Sequence, residues 1–251
     1  MRLLVTRASG EADALAEQLK AAGHEPVIHP LTEIEWLGTE DTNWALFDAI
    51  AVTSRNALRA LARSPDRAML SRPLIAVGPG TAALARDLGF AQVIEGPGTA
   101  RQLPAFMAAR GLAGASDASA KRIVYAVGED LAFDLARALA DLGCAVETKT
   151  VYRARPVARL DAGVAGDILA GALDGVILMS PRTARLYRDL LAAHGITPHP
   201  SIIHVCLSER VAGELRGLAV TVATPVHPNL ASLLARIDRI VLENTHQNAQ
   251  N

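Results

Sequence analysis

The chain alternates between short, uninterrupted hydrophobic runs and longer segments in which hydrophobic residues recur every three or four positions. The uninterrupted runs lie within residues 2–7, 47–52, 74–77, 122–127, 173–179 and 202–206. Runs of this length predict β-strands covered on both faces, and the periodic segments between them predict amphipathic helices. Strands that are covered on both faces and linked by helices are typical of parallel sheets, so the pattern predicts an α/β fold.

The order of these units is repeated after about half of the chain. Residues 2–7 and the helix after them correspond to 122–127 and the helix that follows there, and 47–57 correspond to 173–184. The two copies together predict ten strands, more than one open sheet of this length should hold. We therefore expect two small doubly wound parallel sheets, in two similar lobes.

Two segments depart from this pattern and occur at matching places in the two copies. Residues 31–36 and 148–155 alternate polar and hydrophobic side chains, which favours exposed antiparallel strands. They predict a two-stranded β connector between the lobes. Residues 111–119 are rich in Gly, Ala and Ser and predict a loop, and the polar end, 244–251, predicts a frayed tail.

The composition narrows the class of protein. Of the 251 residues 50% are hydrophobic, which excludes disorder over most of the length, and a net charge of -1 gives no general attraction to nucleic acid or an acidic membrane. Cys144 and Cys206 lie in hydrophobic surroundings, outside any CxxC or Cys/His spacing, and predict buried reduced thiols. The beginning of the chain lacks a signal-peptide pattern, so we expect a soluble, cytoplasmic protein.

Several kinds of catalytic motif are absent from the chain. There is no HExxH, GxSxG, Walker loop or EF-hand loop. Residues 78–83, Gly-Pro-Gly-Thr-Ala-Ala, satisfy a loose dinucleotide-binding pattern, but the corresponding segment of the second copy, 206–209, contains no glycine. A dinucleotide-dependent oxidoreductase is therefore one alternative, and a turn that merely begins a helix is the other.

The remaining candidate chemistry lies in the turns from strand to helix, which are rich in small hydroxyl residues and glycine. In parallel sheets these turns share the carboxyl edge, where ligands bind, and the free N–H groups of helix N-termini attract anions there. Two such edges facing one another across a flexible connector would form an anion-binding cleft with few catalytic acids or bases. The alternative is that the turns only cap helices. They are Thr6-Arg7, Thr53-Ser54, 78–81, Gly128-Glu129, Ser180-Pro181-Arg182, 206–208 and Thr224-Pro225.

Seven short segments occur along the chain in a fixed order. Each is weak evidence for a protein family by itself, but the order of all seven is more specific. They are Val5-Thr6-Arg7, Pro30-Leu31, Val52-Thr53-Ser54-Arg55-Asn56-Ala57, Ala76-Val77-Gly78-Pro79-Gly80-Thr81-Ala82, Val151-Tyr152-Arg153, Ser180-Pro181-Arg182-Thr183-Ala184 and Val205-Cys206-Leu207-Ser208. In this order the chain resembles the uroporphyrinogen-III synthase family from Arg2 to about Ile240. One departure is Met179, where the family commonly has Phe.

The resemblance implies two α/β lobes between which the chain crosses twice. Residues 1–31 together with 161–243 would form the first lobe, and 37–150 the second. Residues 32–36 and 151–160 would form the connector.

The resemblance also implies the reaction. The family converts hydroxymethylbilane, a linear tetrapyrrole with eight carboxylates, into uroporphyrinogen III with loss of water and inversion of the terminal pyrrole ring, a step in haem biosynthesis. It implies no cofactor and no metal. Loss of the hydroxyl leaves an azafulvene, and attack by the substituted carbon of the terminal ring gives a spiro intermediate that recloses with that ring reversed. The enzyme mainly has to hold the chain in the bend that favours this route.

The site residues that the resemblance implies fall into two classes. Tyr152 is the candidate for assisting departure of the hydroxyl, with packing between the lobes as its alternative role. Arginine side chains could supply bidentate charge to carboxylates, and backbone and hydroxyl groups could hold them. The substrate-binding candidates are Arg7, Thr53, Ser54, Arg55, Gly78, Thr81, Gly128, Ser180, Arg182 and Ser208.

A non-catalytic, two-lobed cytosolic protein that closes on an acidic metabolite is the alternative from a different functional class. It would share the fold, the cleft and the connector. As partners we expect the small-molecule substrate, with neither nucleic acid nor a membrane. Transient contact with neighbouring enzymes of the pathway is left open. A monomer is expected, because no exposed hydrophobic stripe is evident in the sequence.

Overall fold

A computed structural model describes residues 1–8, 11–116, 119–131 and 133–248. Contacts within the chain divide it into two compact units. The first unit is Met1–Glu33 with Arg155–Asn251, and the second is Ile34–Ala154. The second unit is therefore continuous, whereas the first is assembled from both ends of the chain.

Strands and helices alternate along most of the described residues. The strands are β1 (Arg2–Val5), β2 (Glu25–Ile28), β3 (Thr32–Trp36), β4 (Ala49–Val52), β5 (Leu74–Ala76), β6 (Val93–Glu95), β7 (Ala115–Ser116), β8 (Ser119–Ala120), β9 (Arg122–Gly128), β10 (Ala145–Pro156), β11 (Gly175–Leu178), β12 (Ile203–Cys206) and β13 (Thr221–Ala223). The α-helices are α1 (Glu11–Ala21), α2 (Arg55–Leu61), α3 (Pro79–Asp87), α4 (Leu103–Ala109), α5 (Leu135–Ala140), α6 (Ala162–Ala170), α7 (Pro181–Ala193), α8 (Glu209–Ala212) and α9 (Leu230–Asn248). Short 3-10 helices lie at Trp44–Leu46, Ala68–Ser71 and Gly213–Leu215.

The first unit is built on a five-stranded sheet in the order β13-β12-β11-β1-β2. Every neighbouring pair is parallel, as the hydrophobic runs predict. The chain adds β2 on one side of β1 and places β11, β12 and β13 on the other. The order therefore reverses between β1 and β11.

Successive residues of these strands pack on opposite faces of the sheet. Leu3 and Val5 contact α1 and α9 residues such as Leu15 and Ile237. Leu4 lies in the other cluster, with residues of α6 and α7 such as Ile168. Both faces are buried, which is why the strands carry no polar alternation.

The second unit is built on a six-stranded sheet in the order β3-β10-β9-β4-β5-β6. The pairs from β10 through β6 are parallel. Ile50 and Val52 of β4 pack with residues of α2 and α3, whereas Ala49 and Ala51 pack with residues of α4 and α5. Here the strand order reverses between β4 and β9.

The alternating segment 148–155 lies mostly in β10, which has β3 on one side and β9 on the other. On the β3 side, Leu37 N donates to Val151 O and Val157 N donates to Leu31 O, so these two segments run antiparallel, as the pattern predicts. On the other side, β10 runs parallel to β9 from Ala145 to Tyr152, with an irregularity in the register between Thr150 and Tyr152. This parallel pairing was not predicted, and it leaves the strand only partly buried along its length.

One further prediction needs correction. Part of the predicted loop 111–119 forms the antiparallel pair β7–β8, so the described strands outnumber the ten predicted. The last helix, α9, reaches Asn248 and overlaps the predicted tail, of which residues 249–251 lie outside the described part of the chain. Its hydrophobic face is anchored earlier, by Leu233, Ile237 and Ile240, and the backbone continues from there.

The longest of the described helices is α9, with 19 residues. Neither α9 nor any other described helix is long and apolar enough to cross a membrane.

Candidate functional site

The strand order of the second unit reverses between β4 and β9, and this reversal favours a ligand site at their carboxyl ends. In open parallel sheets, ligands bind at the carboxyl ends of the two strands where the order reverses, because the connections leave in opposite directions and open a crevice. Thr53 and Ser54 follow β4, and Gly128 ends β9. Three residues predicted to bind substrate therefore meet at this edge.

Ser54 begins α2 and receives two hydrogen bonds on its side-chain oxygen. The backbone N–H of Asn56 donates to Ser54 Oγ over 3.1 Å, which is the usual N-cap arrangement. The hydroxyl of Tyr152 also donates to Ser54 Oγ, over 3.0 Å. Arg55 is the first residue of α2 and is half-buried beside this serine.

Tyr152 is held against the end of β9 by its ring and its backbone. A Cβ atom built on Gly128 would lie 2.5 Å from Tyr152 Cζ, and the Tyr152 carbonyl accepts a hydrogen bond from Glu129 N over 3.0 Å. The backbone of Gly128 lies outside the left-handed region, so its conformation does not require glycine. Glycine is required here because any Cβ would collide with the ring of Tyr152. The predicted catalytic residue thus contacts two predicted binding residues, Ser54 and Gly128.

Thr53 has a partner that the sequence did not indicate. Its Oγ1 lies 2.8 Å from the hydroxyl of Tyr125, a residue of β9 that is 1% exposed. Burial raises the pKa of Tyr125, so its hydroxyl stays protonated at neutral pH. A tyrosine within the hydrophobic run 122–127, three residues before Gly128, was the only signal in the sequence.

The two tyrosines reach the Thr53-Ser54 turn from opposite faces of the sheet. Tyr125 belongs to the cluster under α4 and α5, and Tyr152 packs against the cluster under α2 and α3. Because successive residues of an extended chain point to opposite sides, adjacent hydroxyls at 53 and 54 can each meet one of them. The turn is therefore fixed on both sides.

Gly78 and Thr81, two further residues predicted to bind substrate, are packed closely within the second unit. A Cβ on Gly78 would lie 2.8 Å from the Cα of Gly98, so this glycine allows two backbone segments to pack closely. Thr81 is buried within α3 and 7% exposed. Close packing accounts for the glycine that suggested dinucleotide binding.

In the first unit, the strand order reverses between β1 and β11, and Arg7 and Ser180 lie at the carboxyl ends of these strands. Arg7 Nη2 lies 2.5 Å from Glu11 Oε2, and its Nη1 lies 3.4 Å from the sulfur of Met179. Ser180 caps α7 by accepting from Thr183 N over 3.1 Å. At this edge the guanidinium of Arg7 is half-buried and is oriented by its ion pair with Glu11.

The other predicted residues of the first unit lie on the same edge of its sheet. Arg182 is in the first turn of α7 and is half-buried. Ser208 follows β12 and caps the short helix α8, accepting from Val211 N over 3.4 Å. The predicted residues therefore form two groups, each at the carboxyl edge of one sheet.

Side chains that could ligate a metal are scattered over the described part of the chain. Within it no group of three or more His, Cys, Asp or Glu side chains could hold a metal ion. Cys206 is fully buried, and burial raises the pKa of its thiol to about 12. His204 is fully buried next to Tyr187, as a core residue.

Comparison with known proteins gives one family and one fold. Residues 13–235 match the family model described as uroporphyrinogen-III synthase HemD. Uroporphyrinogen-III synthetase from Helicobacter pylori is similar in structure, with a TM-score of 0.62, 15% identity, and coverage of 95% of this chain and 98% of that chain. A mutant uroporphyrinogen III synthase from the extremely thermophilic bacterium Thermus thermophilus has a TM-score of 0.51 at 17% identity, covering 97% and 99%. No curated protein sequence matches the chain.

Proposed function

The chain belongs to the uroporphyrinogen-III synthase family, and we propose roles in the family's reaction for the residues at its two sheet edges. The enzyme is a cyclising lyase. It closes hydroxymethylbilane to uroporphyrinogen III, with loss of water and inversion of the terminal pyrrole ring.

The reaction needs positioning more than strong acids or bases. The unassisted ring closure gives the uninverted isomer, so the enzyme has to hold a flexible octacarboxylate in the bend that leads to the spiro intermediate. Fixing such a geometry can supply a large part of a rate enhancement. The paired hydroxyls of Thr53 and Ser54, held from both faces of a rigid sheet, suit this requirement.

We propose that Thr53 and Ser54 hold a substrate carboxylate at the edge of the second unit, with Arg55 adding positive charge. Hydrogen bonds from hydroxyl groups and from helix N-termini favour carboxylates. Arg7, Ser180, Arg182 and Ser208 would serve other carboxylates at the edge of the first unit. We leave Thr81 out of this proposal because it is buried. We leave Gly78 out because Gly98 packs against its Cα.

Tyr152 is the residue that we propose to assist departure of the hydroxyl. A phenol hydroxyl can donate a hydrogen bond to a departing hydroxyl and so assist its loss. The Tyr152 hydroxyl donates to Ser54 in the free protein and is half-buried, so it can exchange this partner for the departing hydroxyl. The contact of Tyr152 with Ser54 and Gly128 is the observation on which this proposal rests.

Other features remain predictions from the sequence. We propose that β3 and the end of β10 connect two lobes, with boundaries near 32–36 and 151–160, because the chain passes between the two units at these strands. A cytoplasmic location, a monomeric state and transient contact with neighbouring enzymes are likewise part of the proposal.

The proposed function is tested with freshly prepared hydroxymethylbilane, by separating the type III from the type I product. We expect the type III isomer in excess with the enzyme, and only type I in the blank without it. Binding of the tetrapyrrole with type I product alone would instead indicate the non-catalytic binding protein. A dependence on added nicotinamide cofactor would indicate the oxidoreductase.

A further inference from the structure

Tyr125 lies in the middle of β9, and neither the sequence nor the reaction assigns it a role. Its ring packs under α4 and α5 with Ile123, Val127 and Leu135, and it is 1% exposed. A tyrosine hydroxyl in such a place needs a hydrogen-bond partner, because an unsatisfied polar group is costly to bury. That partner is Thr53 Oγ1, at 2.8 Å.

The pairing of strands explains why the two residues meet. Ala51 of β4 lies opposite Tyr125 in the register, and Thr53 follows two residues later on the same face. The ring of Tyr125 therefore only has to lean along the strand toward the carboxyl edge. Both strands are central in their sheet, so the position of the phenol is set by the core.

Chemistry decides the direction of this hydrogen bond. A phenol is more acidic than an aliphatic hydroxyl, so the favoured arrangement has Tyr125 donating and Thr53 accepting. The proton of Thr53 then points away from Tyr125 and is available to an acceptor at the sheet edge. A threonine without this partner could turn its hydroxyl either way.

We infer that Tyr125 is a positioning residue of the site, which fixes the Thr53 hydroxyl as a donor to a substrate carboxylate. This inference rests on the proposed function, since it assigns the carboxylate to the tetrapyrrole. Tyr125 does not touch the substrate and acts only through Thr53. The ring of Tyr125 is buried, so its hydrogen bond with Thr53 is expected to persist during the reaction. Tyr152 is only half-buried, so its hydroxyl can leave Ser54.

Tyr125→Phe tests the inference, because Phe keeps the ring in the core and removes only the hydroxyl. We expect KM for hydroxymethylbilane to rise about tenfold, the size expected for one weakened hydrogen bond to a charged group. We expect kcat to change by less than about twofold, because the bond is made in both ground and transition states. An unchanged KM would overturn the inference.

Thr53→Val and the double variant separate positioning from general damage. If Tyr125 acts through Thr53, Tyr125→Phe should raise KM no further in a Thr53→Val background. Two effects that multiply would show that Tyr125 acts by another route. Thr53→Ser, which retains the hydroxyl, should stay within about threefold of the wild-type KM.

Tyr187→Phe is the matched control. Tyr187 is also a buried tyrosine, and its hydroxyl lies 3.1 Å from His204 in the first unit, away from the carboxyl edge. It should lose a similar amount of thermal stability but keep the wild-type KM. An equal rise of KM in Tyr187→Phe would assign the Tyr125 effect to stability alone.

A binding measurement keeps the inference separate from the proposed function. The affinity of wild type and Tyr125→Phe for uroporphyrinogen III, titrated without oxygen, should differ about tenfold. If the wild type makes no type III isomer, the proposed function fails, and equal affinities would then also remove the inference. If the wild type is active and the affinities are equal, only the inference fails.

Discussion

Tyr152 is fixed by three different parts of the second unit. Its hydroxyl donates to Ser54, its carbonyl accepts from Glu129, and its ring lies against Gly128. These contacts can be removed one at a time, because each uses different atoms. At the scale of the residue, they separate a chemical role of Tyr152 from a packing role.

Removing the Tyr152 hydroxyl tests the chemical role. If the phenol assists departure of the hydroxyl, Tyr152→Phe should lower kcat by about a hundredfold or more, with nearly unchanged thermal stability. A loss of about tenfold would indicate orientation of the leaving group instead. Near-normal turnover in Tyr152→Phe, with lost stability in Tyr152→Ala, would remove Tyr152 from the chemistry.

Filling the space at Gly128 tests whether the position of the ring matters. Gly128→Ala places a methyl group 2.5 Å from Tyr152 Cζ, so the ring has to shift from the position in which its hydroxyl donates to Ser54. A displacement of this size should lower kcat by up to about a hundredfold. Gly166→Ala is the control, because Gly166 is exposed in α6 and a Cβ there would meet nothing within 4 Å. Equal activity of the two variants would contradict the importance of this contact.

At the scale of the element, the hydroxyl residues of the edges have two functions. Ser54, Ser180 and Ser208 each accept a hydrogen bond from the first turn of the helix that follows. Each therefore satisfies a backbone N–H that would otherwise lack a partner in its helix. Binding and capping can be separated only by a variant that preserves one of them.

Ser180 offers that separation because α7 is long and Asp is also a good N-cap. Ser180→Ala should lower the free energy of unfolding by about 1 kcal/mol, measured by urea denaturation. Ser180→Asp should restore stability, since its carboxylate caps the helix and favours the helix dipole. It should nevertheless bind the anionic substrate more weakly than Ser180→Ala does. Equal affinities of the two variants would place Ser180 outside the binding surface.

At the scale of the whole molecule, an ionisable pair lies in the core of the first unit. His204 in β12 and Tyr187 in α7 are both fully buried, with 3.1 Å between His204 Nε2 and the Tyr187 hydroxyl. Burial lowers the pKa of His204 to about 4, and it raises the pKa of Tyr187 well above its usual value. Both side chains are therefore neutral in the folded protein at neutral pH.

This pair predicts a loss of stability in acid. Because the unfolded His204 has a pKa near 6.5, the unfolded chain binds more protons than the folded one between pH 6.5 and about 4. Above pH 6.5 protonation of His204 does not reduce the free energy of unfolding. As the pH drops from 6.5 to about 4, the free energy of unfolding should fall by about 3 kcal/mol. Urea denaturation at several pH values measures the slope.

A double variant gives the control for the acid loss. Tyr187→Phe with His204→Leu removes both polar partners together, which avoids leaving one of them unsatisfied. Its stability should depend less on pH between 6.5 and 4 than that of the wild type. An unchanged slope would assign the acid sensitivity to other groups.

Features that depend on neighbouring residues in the chain could be predicted from the sequence. Uninterrupted runs such as 49–52 predicted parallel strands covered on both faces, and Ser54, Ser180 and Ser208 were correctly placed before helices. Hydrophobic periodicity and capping are local properties, because they arise within a few residues. The order of the short motifs along the chain likewise indicated the family.

Features that depend on the register between distant strands could not be predicted from the sequence and required the folded chain. Ser54 meets Tyr152 across 98 residues of sequence, and Thr53 meets Tyr125 across 72. The parallel pairing of β10 with β9 was not predicted, because alternation indicates which face of a strand is exposed and does not identify a second neighbour or its direction. In the sequence, Tyr125 is part of a hydrophobic run that predicts a buried strand, and nothing there assigns its hydroxyl a partner. The pairing of β4 with β9 places that hydroxyl beside Thr53.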